Sequence, residues 1–165
     1  MEIEKLAEFL KESNYIEKEY SGQAFVDAMV AWDYAFDGRE DINLKYVLGI
    51  HGFLLENLWP EIAGKVRKGG VKIGGRKYER KPKKVLEGEI KDWIKSCEGM
   101  TCEEDVRQAH IRFEHMHPFR DGNGRVGRIL MNVQRLNLGL DLLVIHEGWE
   151  QSNYYRWFKQ SDEKI

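Results

Sequence analysis

Residues 117–128 read His-Pro-Phe-Arg-Asp-Gly-Asn-Gly-Arg-Val-Gly-Arg, and most of these positions bear on one chemistry. Gly122 and Gly124 let the backbone come close to a ligand without Cβ obstruction. A helix beginning here would present unpaired N–H groups and the positive end of its dipole, which together suit an anion. Arg125 and Arg128 lie three apart and project from one helical face. Two guanidinium forks beside a glycine-rich helix start suit a polyphosphate. Asp121 offers a hard oxygen where a Mg²⁺ between phosphates would sit. His117, at the start of the loop, is of the residue type that accepts a proton near neutral pH.

That constellation needs helices to position it, and the hydrophobic spacing supplies them. Ile3, Leu6, Phe9 and Leu10 recur at helical intervals, as do Phe25, Met29, Trp32 and Phe36 between about 23 and 36. Asn43 is expected to cap a third helix carrying Val47, Ile50, Leu54, Leu55 and Leu58, with Pro60 after it. The stretch 64–81 differs: Val66, Val71, Ile73 and Tyr78 alternate with Gly69-Gly70 and Gly74-Gly75, the composition of a β-hairpin. Helical pattern resumes near Lys84 with Val85, Ile90, Trp93 and Ile94. Thr101 with Glu104 predicts a capping box for a helix carrying Val106, Ala109, Ile111 and Phe113, which Pro118 ends. A further helix runs from about Gly122 to Asn137 with Val126, Ile129, Leu130, Val133 and Leu136 inward, closed by Gly139. A last one begins near Trp149. The fold class is mainly α with one short hairpin.

The chain has 165 residues with 42% hydrophobic and 33% charged content, the composition of one globular domain spanning 1–165 and not of a disordered chain. No apolar run reaches 18 residues, so no membrane helix is expected. The N-terminus is charged from its second residue and does not read as a signal peptide. Cys97 and Cys102 read as reduced thiols, and a cytoplasmic location is expected. The spacings of His110, His115, His117, Cys97 and Cys102 match no zinc pattern. His51 and His146 are expected to be structural or surface residues, and Trp32, Trp59, Trp93, Trp149 and Trp157 to be core. The net charge of −2 hides an asymmetry. Residues 64–84 hold ten Lys and Arg against Glu79 alone, a net +9, which leaves −11 on the remainder. Such a segment suits nucleic acid or an acidic ligand or protein.

Residues 117–128 resemble the signature of the Fic family, His-x-Phe-x-Asp/Glu-Gly-Asn-Gly-Arg-x-x-Arg, at every specified position. The flanks, Phe113, His115 and Arg128-Ile-Leu-Met-Asn132, are similar too, and the resemblance runs from about Ser13 to Glu163. It implies a Fic-fold helical bundle whose hairpin, 64–81, is a flap. The activity implied is transfer of AMP from ATP to a Ser, Thr or Tyr hydroxyl of a target protein. His117 would be the general base, Phe119 the loop anchor and Asp121 the Mg²⁺ ligand. Gly122, Asn123 and Gly124 would form the anion hole, with Asn123 on the phosphates. Arg125 and Arg128 would take the β- and γ-phosphates. Glycine at 124, where the phosphorylating death-on-curing relatives carry lysine, favours nucleotidyl transfer; CDP-choline as donor stays open.

The same resemblance extends to regulation. Ser13-Asn14-Tyr15-Ile16-Glu17-Lys18, within the N-terminal segment 1–20, is similar to the family's inhibitory helix, Ser/Thr-x-x-x-Glu-Gly/Asn. It implies that Glu17 pairs with Arg128 and displaces the γ-phosphate; Lys18 departs from the pattern. In some self-inhibited relatives the glutamate positions a water that removes AMP, so a de-adenylylase is an alternative. Tyr154 and Tyr155 with Asp162 resemble a pocket-lining Tyr-Tyr-x6-Asn arrangement, or else are aromatics packing a terminal helix. The implied flap would hold a target segment by strand pairing, with Val71 and Ile73 as an apolar clamp and Lys72 and its basic neighbours favouring an acidic segment. A binding module that contacts nucleotide or nucleic acid through the basic hairpin is an alternative of another class, though it would have no need of His117. Association of copies is left open.

Overall fold

The computed structural model describes residues 2–73 and 76–162, which form seven helices and one pair of short strands. In chain order these are α1 (Ile3–Ile16), α2 (Gly22–Asp37), α3 (Leu44–Leu55), β1 (Val71–Ile73), β2 (Arg76–Tyr78), α4 (Lys83–Ser96), α5 (Glu103–Met116), α6 (Asn123–Asn137) and α7 (Trp149–Asp162). The fold is mainly α. No helix among the described residues is long and apolar enough to cross a membrane.

The centre of the bundle is α6, in which every residue from Arg125 to Arg135 is buried. It packs against α1, α2, α3 and α5; α4 packs on α3 and α5, and α7 packs on α5. Phe9, Trp32, Ile50, Leu54, Phe113, Phe119, Ile129 and Leu130 belong to the main core. A smaller cluster of Ile16, Val106, Met131, Ile145 and Tyr154 sits under the end of α1 and the start of α7. The position 117–128 therefore lies where a loop enters the most buried helix of the protein.

Local chemistry explains most boundaries. The Ser21 hydroxyl accepts from the N–H of Ala24 at 3.2 Å and Asn43 Oδ1 from that of Tyr46 at 3.0 Å, so both helices have side-chain caps. At α5 the cap falls one residue later than Thr101 with Glu104 would place it. Asp105 Oδ2 accepts from the backbone N–H of both Thr101 and Cys102, at 2.9 and 3.2 Å, and Cys102 is the cap residue. The shorter carboxylate reaches back over the first turn.

The strands pair antiparallel, with Val71 opposite Tyr78, Lys72 opposite Lys77 and Ile73 opposite Arg76. Gly74 and Gly75, and the side chains of Lys72, Ile73, Arg76 and Tyr78, lie outside the described residues. Four apolar expectations are corrected. Met29 and Val85 are 45% exposed, because the buried face of α2 is the alanine stripe Ala24, Ala28, Ala31 and Ala35 and that of α4 is Leu86, Ile90 and Trp93. Trp149 is 77% exposed at the first turn of α7, and Trp59 is partly exposed beneath the Arg120 guanidinium, 5.0 Å from the ring centroid. Neither tryptophan belongs to the core.

Candidate active site: a glycine-rich turn and the Glu17–Arg128 pair

The loop between α5 and α6 is braced from several sides. Phe119 is fully buried, and its backbone is gripped by one side chain: Asn123 Oδ1 accepts from the Phe119 N–H and Asn123 Nδ2 donates to its carbonyl, both at 2.9 Å. Both ends of the Asn123 amide are thus occupied in shaping the turn, so its contribution to an anion site is through its backbone N–H at the head of α6. Gly122 stands at φ 77°, the left-handed conformation that costs glycine least. His51, on α3, stacks on the Phe119 ring at 3.9 Å and 10°. Its Nδ1 accepts from the N–H of Gly64 at 2.9 Å, so its Nε2 carries the proton and donates to the carbonyl of Asp121 at 3.1 Å. Burial holds its pKa down to about 4, and the ring is neutral.

His117 closes α5 in the left-handed region, at φ 49°. Its Nδ1 lies 3.3 Å from the carbonyl of Glu114. A carbonyl only accepts, so the proton is on Nδ1 and the basic lone pair is on Nε2. Burial, and secondarily the Arg67 cation, lower its pKa to about 4. The imidazole is therefore neutral at physiological pH, the form a general base requires.

Arg67 ties the strand pair to this turn. It is 3% exposed; its backbone N–H donates to Pro118 O at 2.9 Å and its Nε to His117 O at 2.8 Å. Its Nη1 donates to the carbonyls of Gly69 and Glu79, at 2.9 and 2.5 Å. One guanidinium thus fixes both the histidine backbone and the two ends of the hairpin segment.

The two motif arginines have different surroundings. Arg125 is 4% exposed and touches Asp121 at 3.3 Å through Nη2, while its Nε and Nη1 are buried with no partner among the described residues. Buried donors without acceptors are costly, and an anion at the turn would satisfy them. Asp121 itself is about half exposed at the mouth of the turn. Its single hard carboxylate fits a Mg²⁺ shared with phosphates better than a site made wholly by protein. Among the described residues, no group of three or more His, Cys, Asp or Glu is placed to hold a metal.

Arg128 is 2% exposed and fully engaged. Nε donates to Ser13 Oγ and Nη2 to Ser13 O, both at 2.9 Å; Nη2 also pairs with Glu17 Oε1 at 2.7 Å, and Nη1 reaches Tyr154 Oη at 3.4 Å. The Glu17 carboxylate lies over the first turn of α6. A Cβ added at Gly124 would collide with Glu17 Oε1 and stand 2.8 Å from Arg128 Nη1. Glycine at 124 is therefore what admits the carboxylate to the helix N-terminus. Lys18 follows Glu17 at φ 58°, the conformation in which glycine or asparagine carries less strain. The lysine takes it nonetheless, and the contact with Arg128 is made.

Behind Arg128 lies a buried chain of polar groups. Tyr154 Oη is 2.8 Å from His110 Nε2. Burial and the Arg128 charge keep His110 neutral, with a pKa of about 3. Glu114 Oε1 is buried without a hydrogen-bond partner among the described residues, against Gly127 and His110. Burial, opposed by Arg128 and reinforced by Glu17, raises its pKa to about 8, so it keeps its proton at neutral pH. Tyr155 is 44% exposed and its hydroxyl accepts from Gln151; the structure joins Tyr154, not Tyr155, to the Arg128 cluster. The side chain of Asp162 lies outside the described residues.

Sequence reasoning missed Arg67, His51 and Glu114. His51 had a signal, its place with Val47, Ile50 and Leu54 on the buried stripe of α3. Arg67 had none, being one of ten basic residues in its run. His146, expected to be a structural or surface residue, is partly exposed and bridges Glu8 of α1 at 2.9 Å and Glu150 of α7 at 2.7 Å, which ties α7 to the helix that Glu17 follows.

A neutral histidine, a glycine-lined helix start and two buried arginines define a phosphate-handling helical domain. The Fic/DOC family profile matches residues 41–134, more than half of the chain, and the chain belongs to that family. A protein named Protein adenylyltransferase Fic from Drosophila melanogaster is 31% identical over 127 residues, which is 74% of this chain and 25% of that one. Its namesake from Aedes aegypti is 29% identical over 125 residues, 74% of this chain and 25% of its own. The chain thus spans about a quarter of the length of these curated relatives. The fold resembles a Fic-domain-containing signaling protein from Bacteroides thetaiotaomicron, with a TM-score of 0.78 at 21% identity over 95% of this chain and 71% of that one. It also resembles Fic-1 from C. elegans, with a TM-score of 0.75 at 18% identity over 99% and 57%.

Proposed function

We propose that this chain transfers AMP from ATP to a Ser, Thr or Tyr hydroxyl of a target protein and that Glu17 holds it in check. The observation that carries this reading is the seat of the Glu17 carboxylate on Arg128 and over the first turn of α6, where a phosphate of a bound nucleotide would otherwise lie. The relatives named adenylyltransferases support the direction of the chemistry.

His117 Nε2 takes the proton as the target hydroxyl oxygen forms its bond to the α-phosphorus and the bond to the β-phosphate oxygen breaks, releasing pyrophosphate. The backbone N–H groups at the start of α6 and the unpaired donors of Arg125 hold phosphate oxygens. Asp121 is the residue that would hold Mg²⁺, which supplies charge neutralisation between phosphates. Arg128 takes the terminal phosphate once Glu17 has left it. A hydroxyl donor lies along the β1–β2 pair, where Arg67 links strand position to the base. The two free thiols, Cys97 and Cys102, suit a reducing compartment such as the cytoplasm.

The test is Glu17→Gly with ATP and Mg²⁺ against a lysate, read by mass spectrometry. A charge-assisted hydrogen bond of about 1.5–3 kcal/mol corresponds to roughly 10–150-fold more AMP incorporation. His117→Ala in the same background removes it. No AMP adduct from Glu17→Gly would overturn the proposal. One feature favours a second activity: the Glu17 carboxylate is anchored yet 37% exposed, able to orient a water toward AMP on a modified target. On that reading the wild type removes AMP and Glu17→Gly does not.

A further inference from the structure

Within the basic run 64–84, some charges have local partners and two, Lys65 and Lys68, line one recess, where Lys65 Nζ also donates to the carbonyl of Glu61 at 3.2 Å. Arg67 is committed to backbone carbonyls. Lys81 pairs with Glu89 at 2.5 Å and Lys83 with Glu87 at 3.4 Å. Lys65, Lys68 and Arg120 are exposed and line a recess of about 390 Å³ at the foot of the strand pair. Ile62 and Val71 contribute apolar wall, and Glu61 is the one carboxylate among its lining residues. The Arg120 guanidinium is held over Trp59, which keeps it at the rim.

This recess adjoins the catalytic turn. Arg120 is the residue before Asp121. The Arg67 backbone and side chain, also in the lining, donate to Pro118 O and His117 O. Val71 opens β1 and is half-buried at the recess. An extended segment paired along β1 would therefore place alternate side chains toward the recess while a hydroxyl a few residues away faces His117.

We propose that the recess receives an Asp or Glu side chain of the target segment, so that the substrate class is a hydroxyl with an acidic residue close to it in sequence. This rests on the AMP-transfer reading above. Three cations against one carboxylate give the sign, and an arginine fork with neighbouring ammonium groups suits a carboxylate held at two oxygens. A nucleic acid would call for a stripe of cations spaced along a backbone. Here Lys81 and Lys83 are taken by carboxylates, while Lys65, Lys68 and Arg120 line a concave site with apolar walls.

The experiment uses two fluorescein-labelled extended peptides with a central Ser-Thr-Tyr core, one flanked by Asp and Glu and the other by Lys. Binding to the Glu17→Gly protein is followed by anisotropy at about 50 and 200 mM salt, and AMP incorporation is measured in parallel. The acidic peptide is expected to bind at least about tenfold more tightly, and less so at the higher salt. The double variant K68E/R120E, both positions being exposed, should abolish or invert the preference. Equal binding of the two peptides overturns the inference, as does a preference that survives K68E/R120E. So does a labelled DNA duplex or RNA strand that binds more tightly than the acidic peptide and is released by the same variant. Acid-selective binding without AMP incorporation supports the recess and counts against the transfer reading. AMP incorporation that is indifferent to peptide charge does the reverse.

Discussion

The proposed catalytic turn and the proposed Glu17 lock face each other across a few ångströms and are built to opposite standards. The turn is over-determined: Phe119 is fully buried, Asn123 grips its backbone twice, His51 stacks on it and Arg67 holds His117 from the other side. The lock is a carboxylate 37% exposed at the very end of α1, seated on a five-residue satellite cluster and followed by a lysine in left-handed conformation. Arg128 belongs to both, buried in the turn's helix and bound to the end of the lock's helix. The difference teaches that a site can be rigid where charge must be met and marginal where charge must be released.

The sharpest way to break the comparison is to hollow out each side. Phe119→Ala should lose about 3–5 kcal/mol and lower the melting temperature by roughly 10 °C. Ile16→Ala should cost less and instead raise basal AMP incorporation. Equal thermal losses with no gain in activity for Ile16→Ala would show that the lock is not a separable unit. Calorimetry beside an incorporation assay decides it.

Next in size is Arg67→Gln, assayed in the Glu17→Gly background. Lost alignment of His117 should reduce kcat about 10–100-fold with little change in KM for ATP. The Arg67 cation adds to burial in lowering the His117 pKa, so its removal raises that pKa. The acid limb of the kcat/KM profile should therefore move from well below 6.5 toward it, a shift that a loss of fold alone would not give.

Smaller effects should come from the lock and its surroundings. Lys18→Gly relieves about 1 kcal/mol of left-handed strain and should tighten the lock, lowering basal incorporation about fivefold. Glu114→Gln probes the buried carboxyl behind Arg128. In the wild type its folded pKa is raised from 4.5 to about 8. The folded chain keeps this proton between those values while the unfolded chain loses it, so stability falls as pH rises through that window. Glu114→Gln lacks this term and should gain on the wild type as pH rises from 5 toward 8, seen as a widening gap in melting temperature.

How much of this was legible in the sequence depends on how local each feature is. The turn at 117–128 was, because its glycines, arginines and histidine act within twelve residues. The helices were also legible, with limits set by geometry. Large apolar residues drew attention to Met29, whereas α2 buries its alanines, whose small size lets neighbouring helices approach. The capping box shifted by one residue because Asp105, not Glu104, has the reach for the Thr101 and Cys102 amides. The roles of Arg67 and His51 at the turn could not be read, since their partners there lie 50 and 70 residues away; the sequence marks only that His51 falls on the buried stripe of α3. The Glu17–Arg128 contact spans 111 residues and was anticipated only through resemblance.

Gly124 has a consequence for dose. By leaving room above the first turn of α6, it would, on the proposed function, let the protein carry a tethered competitor for its own nucleotide seat. A tethered group acts at an effective concentration that dilution does not change, so the degree of restraint is the same in a crowded cell and in a dilute assay. On that proposal, raising ATP would erode the restraint gradually, through competition for one guanidinium. Anything that draws α1 away would remove it at once, turning the proposed graded inhibitor into a switch operated from outside the active site.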